Sequence, residues 1–117
     1  MHRMFLSGKI RDISLTALRP DYEGSITLDE AYMEKAGILP YEEVHVLNLN
    51  SGNRIITYAI KGPRGSGAVE LNGPAARHGM VGDEIMVLTY SFLLPEEIPD
   101  HSPKIVSINP KKSIGTK

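Results

Sequence analysis

Apolar and polar residues alternate along much of this chain with the short period of strands, and Gly and Pro cut the alternation at brief intervals. Residues 4–6 and 9–15 read as two strands parted at Ser7-Gly8, and residues 25–28 as a third, short one. Residues 43–49 and 54–60 are apolar-rich runs joined by Asn50-Ser51-Gly52-Asn53, a hairpin signature. Further strands follow at 68–71, 84–94 and 103–108, with Pro95 closing the most apolar of them. Residues 19–24 and the glycine-rich 61–67 read as loops. A helix is predicted over 29–36, with Asp29 as its cap, Glu30, Glu34 and Lys35 as helix formers and Gly37 at the stop position. Residues 75–78 have room for one helical turn. About seven short strands with a small helix predict a mainly β barrel that closes its own edges, an open sandwich being the second architecture.

Length and composition narrow the field. The 117 residues fit one domain, 1–117, and 41% hydrophobic with 23% charged residues is the mix of a folded globular chain. Lys and Arg number 13 against 14 Asp and Glu, a net charge of −1, so the basic excess of a nucleic-acid binder is missing. Absence of cysteine excludes disulfides, thiolate nucleophiles and cysteine-ligated zinc. The histidines His2, His45, His78 and His101 lie far apart, and no metal site is expected. Charge arrives early at the N-terminus, and no apolar run approaches the roughly 20 residues of a membrane span. The expectation is a cytoplasmic protein without membrane contact. Residues 109–117, with Lys111, Lys112 and Lys117, read as a frayed terminus, flexible over 110–117.

Several short motifs carry chemistry. In Tyr22-Glu23-Gly24-Ser25 the Ser hydroxyl sits beside a glycine carbonyl, the arrangement needed for an N→O acyl shift, although Gly-Ser is also an ordinary turn dipeptide and recurs at Gly65-Ser66. On 54–58 a period of two puts Arg54, Ile56 and Tyr58 on one face and Thr57 on the other. Arg54 suits a carboxylate through its planar fork and Tyr58 can act as a general acid; a strand-end Arg and an amphipathic Tyr would look the same. Asn72-Gly73-Pro74-Ala75-Ala76 joins a two-way hydrogen-bonding side chain to small residues that let a ligand approach the backbone, or is a plain strand-to-turn transition. Lys9, a lone lysine in the first strand, reads as a solvated edge-strand charge. His45 and His78 stay open between acid, base and structural roles.

In their order, Gly8-Lys9, Tyr22-Glu23-Gly24-Ser25, Asn53-Arg54 with Thr57-Tyr58, and Asn72-Gly73 with Ala75-Ala76 resemble the pyruvoyl-dependent aspartate 1-decarboxylase family. The resemblance runs from Met1 to about Leu94 and takes in Ala36-Gly37-Ile38-Leu39 and Val81-Gly82-Asp83. It implies a double-psi β-barrel with one or two short helices, assembled as a homotetramer with active sites near subunit interfaces. It implies self-cleavage between Gly24 and Ser25 into chains 1–24 and 25–117, Ser25 becoming a covalent pyruvoyl group that takes the substrate amine as a Schiff base. Tyr58 would be the proton donor, Lys9 and Arg54 would engage the carboxylates of L-aspartate, and Thr57, Asn72, Gly73, Pro74 and Ala75 would complete the substrate site. The products would be β-alanine, for pantothenate biosynthesis, and carbon dioxide. Many members carry His where this chain has Arg11 and Ala where it has Pro74, which lacks an N–H to donate. A twist or bulge in the strand would reconcile Thr57 with Tyr58. Read from the residues alone, a non-catalytic β-barrel binding DNA or a protein partner, with Gly24-Ser25 a mere turn, is the alternative.

Overall fold

The computed structural model describes residues 1–110. Eight strands form: β1 (Arg3–Ser14), β2 (Ala17–Arg19), β3 (Ser25–Asp29), β4 (Glu43–Asn48), β5 (Arg54–Gly62), β6 (Val69–Asn72), β7 (Glu84–Leu93) and β8 (Lys104–Ser107). One α-helix, α1 (Glu30–Ala36), and two 3-10 turns, Gly73–His78 and Pro95–Asp100, join them. The ladder runs β2-β6-β3-β5-β4-β7-β1-β8. It mixes parallel pairs (β1 with β8, β2 with β6, β3 with β5) with antiparallel ones, so neighbours along the sheet are often distant in sequence. The chain itself curls this ladder round: β1 continues through Leu15 and Thr16 into β2, and Thr16 exchanges hydrogen bonds with Val69 on β6.

Strand alternation decides what faces inward. On β4, Val44, Val46 and Asn48 are buried while Glu43, His45 and Leu47 turn outward. Ile10, Ile26, Leu28, Ala59, Ile85 and Val87 are fully buried, and each large aliphatic side chain so placed contributes about 1.5–3 kcal/mol. The helix forms where expected. Asp29 caps it by accepting from the Ala31 N–H at 2.8 Å, and Gly37 ends it in the left-handed region at φ 70°. Ile38 then donates to the Met33 carbonyl and both side chains bury, a hydrophobic contact that locks the stop.

Three local expectations are corrected. Residues 4–6 and 9–15 form one strand with a register shift between Leu6 and Gly8. Gly8 is there for closeness, since a Cβ on it would lie 2.5 Å from the Ala36 carbonyl oxygen at the end of α1. The predicted loop contains β2, because its three residues gain their hydrogen bonds from β6, over fifty positions away. The turn Pro95–Asp100 follows β7, with the Glu97 carboxylate accepting from the Leu94 N–H at 2.7 Å. Asn109, read as the start of a frayed end, donates to the Asp12 carbonyl; of the tail expected over 110–117, residues 111–117 lie outside the described residues.

Candidate active site

The site is built where β3 begins. Ser25, the first residue of that strand, pairs with Asn72, the last of β6. Both are buried, at 2% and 0% exposure. Asn72 donates through Nδ2 to the Ser25 hydroxyl and to the Thr27 hydroxyl, each at 2.8 Å. Thr27 is absent from the sequence-derived site, yet the same period of two that places it beside Ser25 on β3 is the signal that finds it. Among the described residues, the Asn72 Oδ1 atom is a buried polar atom left without a partner.

Gly73 turns the chain out of β6. Its φ is +61°, and a Cβ there would stand 2.5 Å from the Tyr22 carbonyl oxygen, 2.7 Å from the Gly24 nitrogen and 2.9 Å from the Glu23 carbonyl carbon. The segment entering Ser25 is thus pressed against Gly73, which only glycine permits. Pro74 opens the 3-10 turn at a position whose missing N–H costs the turn nothing, and Ala75 and Ala76 bury beneath it. Ser25 also directs its hydroxyl at the Glu23 carbonyl, at 3.5 Å.

A pocket of about 270 Å³ opens beside this segment, lined by Gly24, Ile55, Ile56, Thr57, Pro74, Ala75 and His78. Three consecutive residues of β5 line it for a topological reason. The β3·β5 pairing starts at Ile26 with Ala59, so the edge of β5 before Ala59 has no strand beside it. The gap is closed by Gly24 and the 73–78 turn, and both faces of β5 reach it. Of the twist or bulge offered to reconcile Thr57 with Tyr58, no bulge is found here, for the β4·β5 register runs unshifted from Tyr58 to Arg54. Thr57 enters the pocket from the core side of the strand instead.

Tyr58 lies on the outward face of β5, the face to which Ser25 and Thr27 turn on the adjoining strand. Its ring centroid is 6.2 Å from that of Tyr41, whose φ of +69° is a strained conformation for a residue with a Cβ. The remaining predicted ligands stand apart. Arg54, four residues back along β5, donates from Nη2 to the Tyr90 hydroxyl at 3.2 Å and contacts His45 Nδ1 at 3.0 Å. Lys9 is on β1, three strands from β5 and so about 14 Å across the sheet. The structure therefore brings Ser25, Asn72, Gly73, Gly24, Thr57, Pro74 and Ala75 together, sets Tyr58 alongside, and leaves Arg54 and Lys9 further out on the same face. Arg11 pairs with Asp12 at 3.2 Å on the surface. Among the described residues no group of three or more His, Asp or Glu could hold a metal, and no helix is long and apolar enough to cross a membrane.

A strand ladder of this order, wrapped round an aliphatic core, defines a double-psi β-barrel, with a glycine-serine bond at a buried strand start. The rationally designed protein mkDPBB_sym_86 shares the fold, with a TM-score of 0.51 and 21% identity over 71% of this chain and 91% of its own. The aspartate decarboxylase family model matches residues 1–115. The aspartate 1-decarboxylase of Acaryochloris marina is 46% identical over 114 residues, 97% of this chain and 87% of that protein. Those of Caldicellulosiruptor saccharolyticus and Desulfotalea psychrophila are 48% and 42% identical, covering 93% and 97% of this chain and 85% and 95% of theirs. The chain belongs to the aspartate decarboxylase family.

Proposed function

We propose that this protein decarboxylates L-aspartate at its α-carboxyl, releasing carbon dioxide and β-alanine for pantothenate synthesis, by means of a pyruvoyl group made from Ser25. The observation that carries the reading is the buried Ser25 hydroxyl, held by Asn72 next to a Gly24 pressed onto Gly73. Attack of Ser25 Oγ on the Gly24 carbonyl carbon exchanges the amide for an ester and frees the Ser25 amine. Loss of the Ser25 α-proton then expels the Gly24 carboxylate and cuts the chain between 24 and 25. Addition of water and loss of ammonia leave a ketone at the head of residues 25–117.

The residues fit such a group: Asn72 already offers a donor there, and its unpartnered Oδ1 adds an acceptor. When formed, the group would supply the electron sink needed for the bond to the α-carboxylate to break. Tyr58 returns a proton to the substrate's Cα. Thr57 and the 73–75 backbone line the substrate, with the Ala75 N–H the donor that Pro74 cannot be. Arg54 and Lys9 hold carboxylates.

Because those two cations stand away from Ser25 in a single chain, the complete site calls for a second copy whose outer face meets this pocket, an arrangement the proposed homotetramer would supply. Ile56 at 62% and Phe92 at 67% exposure give that face apolar surface to bury. The proposed compartment is the cytoplasm. A non-catalytic DNA- or protein-binding barrel is not favoured, since the relatives matched over 97% of this chain are decarboxylases.

Mass spectrometry of the denatured protein, with carbon dioxide release from aspartate, tests the reading. Fragments 1–24 and 25–117, the larger bearing an N-terminal carbonyl, are expected. One uncut chain inert toward aspartate would end it.

A further inference from the structure

The contact between Arg54 and His45 fixes a protonation state. A guanidinium has donors and no acceptor, so at 3.0 Å from Arg54 Nη2 the His45 Nδ1 atom must be accepting. His45 is therefore neutral here, with its proton on Nε2. That nitrogen lies 3.8 Å from the Glu43 carboxylate, too far for a hydrogen bond. The Tyr90 ring crosses the imidazole edge to face at 5.1 Å and its hydroxyl accepts from the same Arg54 nitrogen at 3.2 Å. Arg54 is thus held between β4 and β7, by an imidazole acceptor that can take up a proton and by a phenol hydroxyl.

The charged and titratable groups around His45 are few. Glu43 shares its strand face, Arg54 comes from β5, Tyr90 from β7, and Lys9 lies beyond Leu88, the residue that pairs with both Lys9 and His45. Glu42 is engaged elsewhere, accepting from the Thr89 hydroxyl and the Leu39 N–H. Protonation of His45 removes the acceptor and sets an imidazolium beside the guanidinium, with the Glu43 carboxylate 3.8 Å from Nε2.

We propose that His45 is a proton-controlled positioning residue for Arg54. Neutral, it aims the guanidinium along the outer face; protonated, it releases and repels it. This rests on the reading of Arg54 as a ligand for a substrate carboxylate. It follows that acid weakens substrate binding through His45 without slowing the chemical step.

The test compares wild type with His45→Asn, whose Oδ1 stands where Nδ1 does and accepts a hydrogen bond but takes no proton. From about pH 8 to about pH 5.5 the wild-type KM for aspartate is expected to rise roughly fivefold more than that of the variant, the kcat profiles remaining parallel. Parallel KM profiles, or a difference confined to kcat, would overturn the proposal. Nitrogen-15 spectra of the His45 ring supply a readout independent of turnover. The neutral ring should carry its proton on Nε2, with an Nδ1 resonance that moves in Arg54→Met. A proton on Nδ1, or an Nδ1 resonance indifferent to that substitution, refutes the contact itself. Wild-type protein that shows the expected ring but makes no β-alanine would defeat the active-site reading and, with it, the proposed control of substrate binding.

Discussion

Asn72 and Ser25 meet across the β3·β6 ladder, where the Asn72 amide donates to the Ser25 hydroxyl at 2.8 Å. Because the same amide also donates to Thr27, removing the Ser25 hydroxyl leaves Asn72 with a partner. Ser25→Ala should accordingly fold, at a cost of about 1 kcal/mol for the lost hydrogen bond. It should stay one chain by intact mass and release no carbon dioxide from aspartate. Turnover near the wild-type rate would remove Ser25 from the chemistry.

In the proposed role Tyr58 contributes a phenolic proton, and Phe keeps the ring whose centroid is 6.2 Å from that of Tyr41. Tyr58→Phe is therefore expected to cleave at Gly24-Ser25 as the wild type does, while kcat falls by about 10²–10⁴-fold, the range of a lost general acid. Fragment masses and β-alanine formation measured on the same sample separate the two effects. An unchanged kcat would exclude Tyr58 as the proton donor.

The two glycines around the Gly24-Ser25 bond differ in what a methyl group would meet. At Gly73 it would strike the backbone of residues 22–24 within 3 Å and sit at φ +61°; at Gly24 the nearest atom is Pro74 Cδ at 3.6 Å, an ordinary contact. Gly73→Ala should lose about 1–3 kcal/mol and lower Tm by roughly 5–10 °C, whereas Gly24→Ala should cost less than about 1 kcal/mol. Thermal unfolding of both variants in the Ser25→Ala background, which keeps the chain uncut, gives the comparison. Equal losses would show that the Gly73 packing is not what holds the segment.

What the sequence conveyed and what it withheld divide along the range of the forces involved. The helix was legible because Asp29, Glu30, Lys35 and Gly37 act within a turn of one another. The β4·β5 hairpin was legible because its turn is closed by Asn48, Asn50 and Ser51 themselves. Strand β2 was not, since its partner is β6; nor was the role of Gly8, whose constraint is the distant Ala36 carbonyl. Within the site, period-two alternation placed Arg54 and Tyr58 on one face and Thr57 on the other, as found. It could not show that Thr57 still reaches the pocket, because that depends on where β3 stops pairing with β5. The tie between Arg54 and His45 was likewise hidden, being set by which residues face each other across β4, β5 and β7.

A pH-dependent part of the stability lies at the far end of β3. Asp29 is buried, which opposes ionisation, yet the N–H groups of Gly67, Ala31 and Gly65 and the charge of Arg64 outweigh that opposition and hold its carboxyl below the usual range. Asp83 is lowered as well, by the Asn48 amide and the Met80 N–H. A carboxyl depressed in the folded state means that the unfolded chain takes up the proton first. The stabilisation is complete above about pH 5 and fades as pH drops through about 4 toward the folded-state value. Asp29→Asn removes this contribution and turns an amide donor toward N–H groups that are themselves donors. Urea unfolding of Ser25→Ala and of the double variant with Asp29→Asn should show a large stability gap at pH 7 that narrows below about pH 4. A gap of constant size across that range would mean that the Asp29 charge does not hold the 61–67 loop onto the helix start.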